Sequence, residues 1–192
     1  MYSISAKILK VFLDLIELVF IGAVVSFFVF FYIAQPLRVS GDSMLPNFHD
    51  KEQIIAEKIS IKTDGIKRGD VIIFRHPDNH DIFIIKRAIG LPGEAFRIDD
   101  DGYIYIDGEI IKEPYLEVGT KTHGFGKIHA NEEISIPYDS YILLGDNRSN
   151  SSDSRAWGPI SMDLIVGKSF MVYYPVDSFR LTKDAKGEES KN

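Results

Sequence analysis

Seventeen consecutive residues without a formal charge, Leu18 to Ala34, set the tightest bound on what this chain can fold into. As a helix at ~1.5 Å per residue the run spans roughly 25 Å, and extending it back through Leu15 and Ile16 covers a bilayer core. Phe27, Phe28, Phe30 and Phe31 leave it no polar face, which suits lipid better than the interior of a soluble domain. A cleaved leader would carry an apolar stretch of about 7 to 15 residues ending in small side chains. Here Tyr32 stands two before Ala34, and Gln35-Pro36 follow. The run reads as an uncleaved anchor over residues 15–35, after a short cytoplasmic segment 1–14. Lys7 and Lys10 precede it, whereas Arg38 follows with Asp42 close by, a bias that puts the N-terminus in the cytoplasm and the larger part of the chain outside.

About 140 residues remain after the anchor, enough for a single core without covalent staples. The sequence has no cysteine, so disulfides, thiolate nucleophiles and thiolate metal sites are excluded. Its net charge of -6 argues against a nucleic-acid partner, which would require a basic face. The small cluster of Lys58, Lys62, Lys67 and Arg68 reads as a solvated edge. No G-x-x-x-x-G-K-[ST] loop occurs, so nucleotide chemistry is not expected.

Beyond the anchor the pattern is one of strands. Gln53 to Glu57, Val71 to Arg75, Ile82 to Ile89, Ala95 to Asp99, Tyr103 to Ile106, Glu133 to Ile136, Tyr141 to Leu144 and Ile165 to Tyr174 are short and rich in Ile, Val, Tyr and Phe. Gly, Pro, Asp and Asn separate them, with hairpin signals at Asp101-Gly102 and Asp107-Gly108. No soluble segment sustains a helical period. The expectation is an all-β, mainly antiparallel domain, coiled or barrel-like, over residues 36–181, behind one transmembrane helix. A polar tail, 182–192, is expected to be disordered.

Three stretches carry chemistry. The heptapeptide Ser40 to Pro46, S-G-D-S-M-L-P, begins six positions beyond the apolar run and sets a serine beside a glycine, a methionine and a proline. Serine needs a base to take its proton. His49, His76, His80, His123 and His129 all fall in polar loops, where histidine is ordinarily a surface residue, and His76 and His80 lack a third metal ligand. Lysine is the other choice. Strand alternation puts Lys86 on one face with Ile82, Ile84 and Ala88, where an ammonium is poorly solvated and its pKa falls. A free lysine is neutral only about once in 2500 at pH 7, so a base role requires that shift. From this strand alone, snorkelling to solvent is the more ordinary fate. The third stretch, Gly145 to Arg155, G-D-N-R-S-N-S-S-D-S-R, follows an apolar strand and holds acids and arginines able to pair, together with hydroxyls able to hold an amine.

The motifs G-D-S-M-L-P, I-I-K-R-A-I-G-L-P-G-E and G-D-N-R-S-N-S-S-D-S-R, in that order behind an N-terminal anchor, resemble those of bacterial type I signal peptidases. The resemblance implies a Ser/Lys dyad that uses no histidine, metal or cofactor: Ser43 as nucleophile, Lys86 as general base, and Ser151 orienting the lysine amine. Asp153 and Arg155 would brace the site, Asp146 and Arg148 would be structural, and Met44 and Pro46 would fix the backbone beside the nucleophile. The Ser43 backbone N–H would receive the oxyanion. Where some members place a serine whose hydroxyl adds a second donor, this chain has Gly41. Substrate would lie extended along Val39, Ser40 and Gly41 and along Phe83, Ile84 and Ile85, with small side chains at the first and third positions before the cut. The implied partners are secretory preproteins and the bilayer, at a bacterial inner membrane. A conjugation-type maturation peptidase and a self-cleaving Ser/Lys protease share the dyad. A catalytically inactive membrane-anchored β scaffold would not require it.

Overall fold

The computed structural model describes residues 4–182. The chain divides into two compact units, at Gln35 and Pro36.

The first unit is a helix, α1 (Ile4–Phe28), continued by one π-helical turn over Val29–Ile33. It begins well before the uncharged run. Lys7, Lys10, Asp14 and Glu17 follow one another at steps of three and four, so they share a stripe and do not interrupt the helix. Within Ala6–Phe28 an 18-residue window has a mean hydropathy of 2.3, and none of its residues is buried. A helix this apolar with no protein cover is long enough to cross a membrane.

The second unit contains β1 (Ala34–Arg38), β2 (Gln53–Glu57), α2 (Ile59–Thr63), β3 (Val71–His76), β4 (Asn79–Gly90), β5 (Ala95–Ile98), β6 (Ile104–Ile106), β7 (Glu109–Ile110), β8 (Glu133–Ser135), β9 (Ser140–Leu144), α3 (Ser154–Trp157), β10 (Ile160–Ser161), β11 (Ile165–Tyr174) and β12 (Arg180–Leu181). Gln35/Pro36 falls within β1, so β1 belongs to this unit from Pro36 onward. The strands form a large sheet in the order β1-β2-β11-β3-β4-β9-β10, with β12 on β11, and a small sheet in the order β7-β6-β5-β8. The pairings among β2 to β12 are antiparallel.

Each of the eight expected strands is present, and Gln53–Glu57 and Ile165–Tyr174 keep their expected bounds. The barrel-like form is not realised: the large sheet runs from β1 to β10 without the two pairing, so both sheets are open. Strands β1, β7, β10 and β12 escape the sequence pattern because most are two residues long and β1 contains Pro36. The two soluble helices also escape it, being only four and five residues long. Both hairpin signals are turns. Asp107 and Gly108, at φ 50° and 82°, suit a two-residue hairpin loop, and Gly102 is left-handed at φ 80°.

The core lies in three clusters. One, around Met44, Phe48, Ile54, Ala56, Ile73 and Ile85, ties the segment after β1 to the centre of the large sheet. A second joins Ile89, Ile142 and Leu144 of the large sheet to Phe96, Ile98, Ile104 and Ile106 of the small one. The third packs Ile72, Phe74, Ala88 and Leu143 beneath Trp157 and Ile160. Strand β9 is buried at all five positions, which explains why Tyr-Ile-Leu-Leu reads as a continuous apolar run. Thr182 is buried and its hydroxyl donates to the Ser169 carbonyl; residues 183–192 of the expected tail lie outside the described residues.

Ile142 has no exposed surface and sits where the two sheets share a core. Ile142→Ala is expected to cost about 2–5 kcal/mol, read as a lowered unfolding midpoint of the full chain.

Candidate active site

Ser43 lies on the turn between β1 and β2. Gly41, at φ +86°, takes a conformation that side chains resist, and its N–H donates to Asp50 Oδ1 at 3.0 Å. Met44 and Phe48, 1% and 0% exposed, drive the far end of the turn into the core, where the Phe48 N–H donates to the Met44 carbonyl. Pro46 remains exposed, so of the two residues expected to fix this backbone Met44 is the one packed into the core.

Lys86 reaches this turn from β4. Its Nζ is 2.6 Å from Ser43 Oγ and donates to the Ile85 carbonyl at 3.0 Å. The residue is 3% exposed. Burial pulls its pKa from the ordinary lysine range down to about 8, with Asp153 and Asp146 opposing the shift. Burial outweighs both carboxylates, Arg155 adds to the lowering, and each carboxylate is engaged by an arginine. The Arg87 Nε donates to Asp146 Oδ1 at 2.8 Å and its NH2 to Oδ2, while Arg155 makes the same two-point contact with Asp153 at 2.9 and 2.8 Å. Burial opposes ionisation of Asp153, but Arg155 and the Gly145 N–H hold its carboxyl below the usual carboxylate range. The amine therefore sits near two ion pairs, Arg87 with Asp146 and Arg155 with Asp153.

The loop Gly145 to Arg155 closes the site. Asp153 caps α3, Ser154 Oγ accepts from the Leu143 N–H, and Arg148 Nε donates to the Gly145 carbonyl at 3.0 Å. Arg148 also forks onto Glu113, so Asp146 and Arg148 serve different partners and do not pair with each other. A Cβ on Gly145 would collide with Ser151 Oγ and approach the Ser43 carbonyl oxygen at 2.5 Å, so the loop meets the turn carrying Ser43 only because this residue is glycine. Ser151 Oγ is buried there, where it helps hold the Asp153 carboxyl ionised, and among the described residues it makes no hydrogen bond to Lys86.

A cavity of about 370 Å³ opens beside Ser43 and Lys86. Val39, Ser40, Phe83, Ile84 and Ile85 line it, as the sequence leads one to expect; Gly41 does not. Leu37, Ile54, Ile73 and Trp157 add apolar wall that sequence reasoning missed. Strand β9 pairs with β4 only from Arg87 to Gly90, so the edge of Phe83–Ile85 that faces away from β3 has no β9 partner. His76 also lines the cavity, with its ring against Trp157 at 4.8 Å and its Nδ1 accepting from the Asp78 N–H. None of the histidines bonds to Ser43 or Lys86.

Sequence reasoning also missed Arg87, Asn47, Tyr115 and Asn147. Arg87 has no exposed surface, and the Tyr115 ring covers its guanidinium at 4.1 Å. Asn47 Nδ2 donates to Asp146 Oδ2 at 2.9 Å and to the Tyr115 carbonyl at 2.8 Å. The available signal was a second cation directly after Lys86 in an otherwise apolar strand.

Comparison with known proteins matches residues 12–174 to a family model described as signal peptidase, peptidase S26. The chain is 36% identical over 162 residues to signal peptidase I T of Bacillus subtilis, covering 79% of this chain and 80% of that one. It is 34% identical over 183 residues to signal peptidase IB of Staphylococcus aureus, covering 89% and 94%. A signal peptidase I structure from Enterococcus faecalis superposes with a TM-score of 0.43 at 27% identity, covering 54% of this chain and 95% of that one.

Two substitutions test this geometry. Asp146→Ala leaves a fully buried guanidinium without its carboxylate and is expected to cost about 3–5 kcal/mol, read by thermal or denaturant unfolding. Gly41→Ser would supply the hydroxyl found in some members of the family, yet at φ +86° it strains the turn. Turnover is expected to fall or stay level; a gain would show that the turn readily accepts an L side chain.

Proposed function

The chain belongs to the signal peptidase family, peptidase S26, and on that premise we propose that it is a membrane-anchored endopeptidase with Ser43 as nucleophile and Lys86 as general base. The 2.6 Å approach of a buried lysine amine to a serine hydroxyl carries this reading. Neutral Lys86 takes the hydroxyl proton as Ser43 Oγ attacks the scissile carbonyl. The developing oxyanion is received by the Ser43 N–H, which donates to no protein acceptor among the described residues. Lys86 passes the proton to the departing amine, leaving the acyl-enzyme. It then deprotonates a water that releases the peptide acid.

The substrate in this proposal is the signal peptide of an exported preprotein, bound extended against the unpaired edge of Phe83–Ile85 and along Val39 and Ser40. The apolar cavity lined by Ile54, Ile73 and Ile85 favours small uncharged side chains at the first and third positions before the cut. Helix α1 is the anchor, with the N-terminus cytoplasmic and the domain from Pro36 onward outside. Ser151 orients the lysine amine only after its hydroxyl turns toward Lys86, to which it makes no hydrogen bond in this structure. The intact, hydrogen-bonded Ser43 and Lys86 speak against an inactive scaffold.

Incubation of the detergent-solubilised chain with a secretory preprotein, and sequencing of the new N-terminus, tests the assignment. Cleavage after a small residue is expected, abolished by Ser43→Ala and by Lys86→Ala and retained in His76→Ala. No cleavage by the unaltered chain, or full cleavage by either dyad variant, overturns it. The base acts neutral, so kcat/KM is expected to rise about tenfold per pH unit below pH 8 and to level off above it.

A further inference from the structure

The oxyanion donor in this reading is one end of a peptide group, and the other end is held from a distant part of the chain. The peptide joining Asp42 to Ser43 is planar, so the direction of its C=O fixes the direction of its N–H. Two donors meet that carbonyl. The Leu45 N–H, within the same turn, lies at 3.2 Å, and Asn147 Nδ2, from the loop after β9, lies at 3.1 Å. The backbone N–H of Asn147 donates in turn to the Ser43 carbonyl at 3.0 Å. A single residue thus grips the peptide carbonyls on both sides of the nucleophile's Cα. Its side-chain amide is itself oriented: Ser149 Oγ donates to Asn147 Oδ1 at 3.2 Å, which leaves Nδ2 facing Asp42.

We propose that Asn147 is a positioning residue for the oxyanion hole, aiming and polarising the Ser43 N–H through its hydrogen bond to the Asp42 carbonyl. This rests on Ser43 being the nucleophile. A donor at the carbonyl end of an amide strengthens the N–H at the other end, and with both acceptor positions of the Asp42 oxygen filled the plane cannot rock. The need is greater here because Gly41 supplies no hydroxyl as a second donor, so the peptide's aim determines more of the oxyanion's stabilisation. The Asn147 side chain touches neither Ser43 Oγ nor Lys86, so proton transfer within the dyad does not depend on it.

The test compares the unaltered chain with Asn147→Ala, Asn147→Asp and Ser149→Ala, using a signal-peptide-derived substrate and two inhibitors of the same sequence. One inhibitor ends in an aldehyde, whose carbonyl Ser43 adds to, placing an oxyanion in the hole; the other ends in the corresponding alcohol and forms no such bond. Removing a direct oxyanion donor costs roughly 10²–10³ in kcat, so a donor left in place but poorly aimed is expected to cost about tenfold. For Asn147→Ala, kcat falls by that factor with KM unchanged. The aldehyde weakens by the same factor and the alcohol does not, while the pH midpoint set by Lys86 stays in place. Asn147→Asp sets an acceptor against the Asp42 carbonyl and falls at least as far; Ser149→Ala, on an exposed residue, shows a smaller loss of the same kind. If Asn147→Ala does not fold, the other two variants are read in the same way. Unchanged kcat and aldehyde affinity overturn the proposal, as does a loss confined to KM or shared equally by aldehyde and alcohol. Failure of the unaltered chain to cleave the substrate or bind the aldehyde instead removes Ser43 as nucleophile, a different outcome.

Discussion

A guanidinium with no surface in water must be paired, and the pairing of Arg87 with Asp146 sets the geometry of everything around the dyad. Arg87 is the residue after Lys86 on β4, and Asp146 is the second residue of the loop that leaves β9. Their two-point contact fixes that loop to the strand carrying the lysine, and Asn47 brings the turn carrying Ser43 to the same carboxylate. Three segments far apart in sequence are therefore referenced to one buried charge pair. Such a pair contributes little net stability, because desolvation of both ions offsets their attraction. Its role is to penalise any other arrangement, since moving one partner strands the other.

The same pair bears on the base role proposed for Lys86. A lysine amine loses its proton readily only where the charged form is poorly solvated and no free anion compensates. Two carboxylates stand near Lys86, and each opposes the lowering of its pKa by burial. Arg87 and Arg155 each occupy one of them with a planar fork, Arg155 adds to the lowering, and burial decides the outcome. Lysine in place of either arginine would offer a single point charge where the carboxylate needs two parallel donors.

Much of the fold was legible because the soluble part uses short alternating or continuously apolar strands divided by Gly, Pro and Asp. The segments that escaped reading are those whose structure is imposed from outside: β7, β10 and β12, two residues each, exist only because a neighbouring strand offers an edge. Openness was not legible either, since closure depends on whether β1 meets β10, a relation that no local pattern encodes. At the site, Ser43 and Lys86 could be named from motifs, but the partners could not. Asp146 and Arg148 sit two apart and invite pairing, yet they bond to Arg87 and Glu113, 59 and 35 residues away in sequence. Asn147, between them, reads as a turn residue, and its grip on the Ser43 turn, 105 residues away, appears only in three dimensions.

Burial of the base and access of a peptide to it make opposing demands. A lysine sealed on every side would be a good base with nothing to act on, and an open one would be charged. The end of β9 meets both demands: its pairing with β4 covers Arg87 and stops there, so that Lys86 is enclosed by the loop from Gly145 while the edge of Phe83–Ile85 beside it stays unpaired. Under the proposed reaction the missing strand is the substrate, which would fill that edge and remove the remaining water from the amine's approach to Ser43. A continued β9 would cover the edge on which the proposed substrate lies, and a shorter one would expose Arg87 and loosen the pair beside the lysine. The length of this strand is therefore fixed from both directions, by the charge it must cover and by the backbone it must leave free.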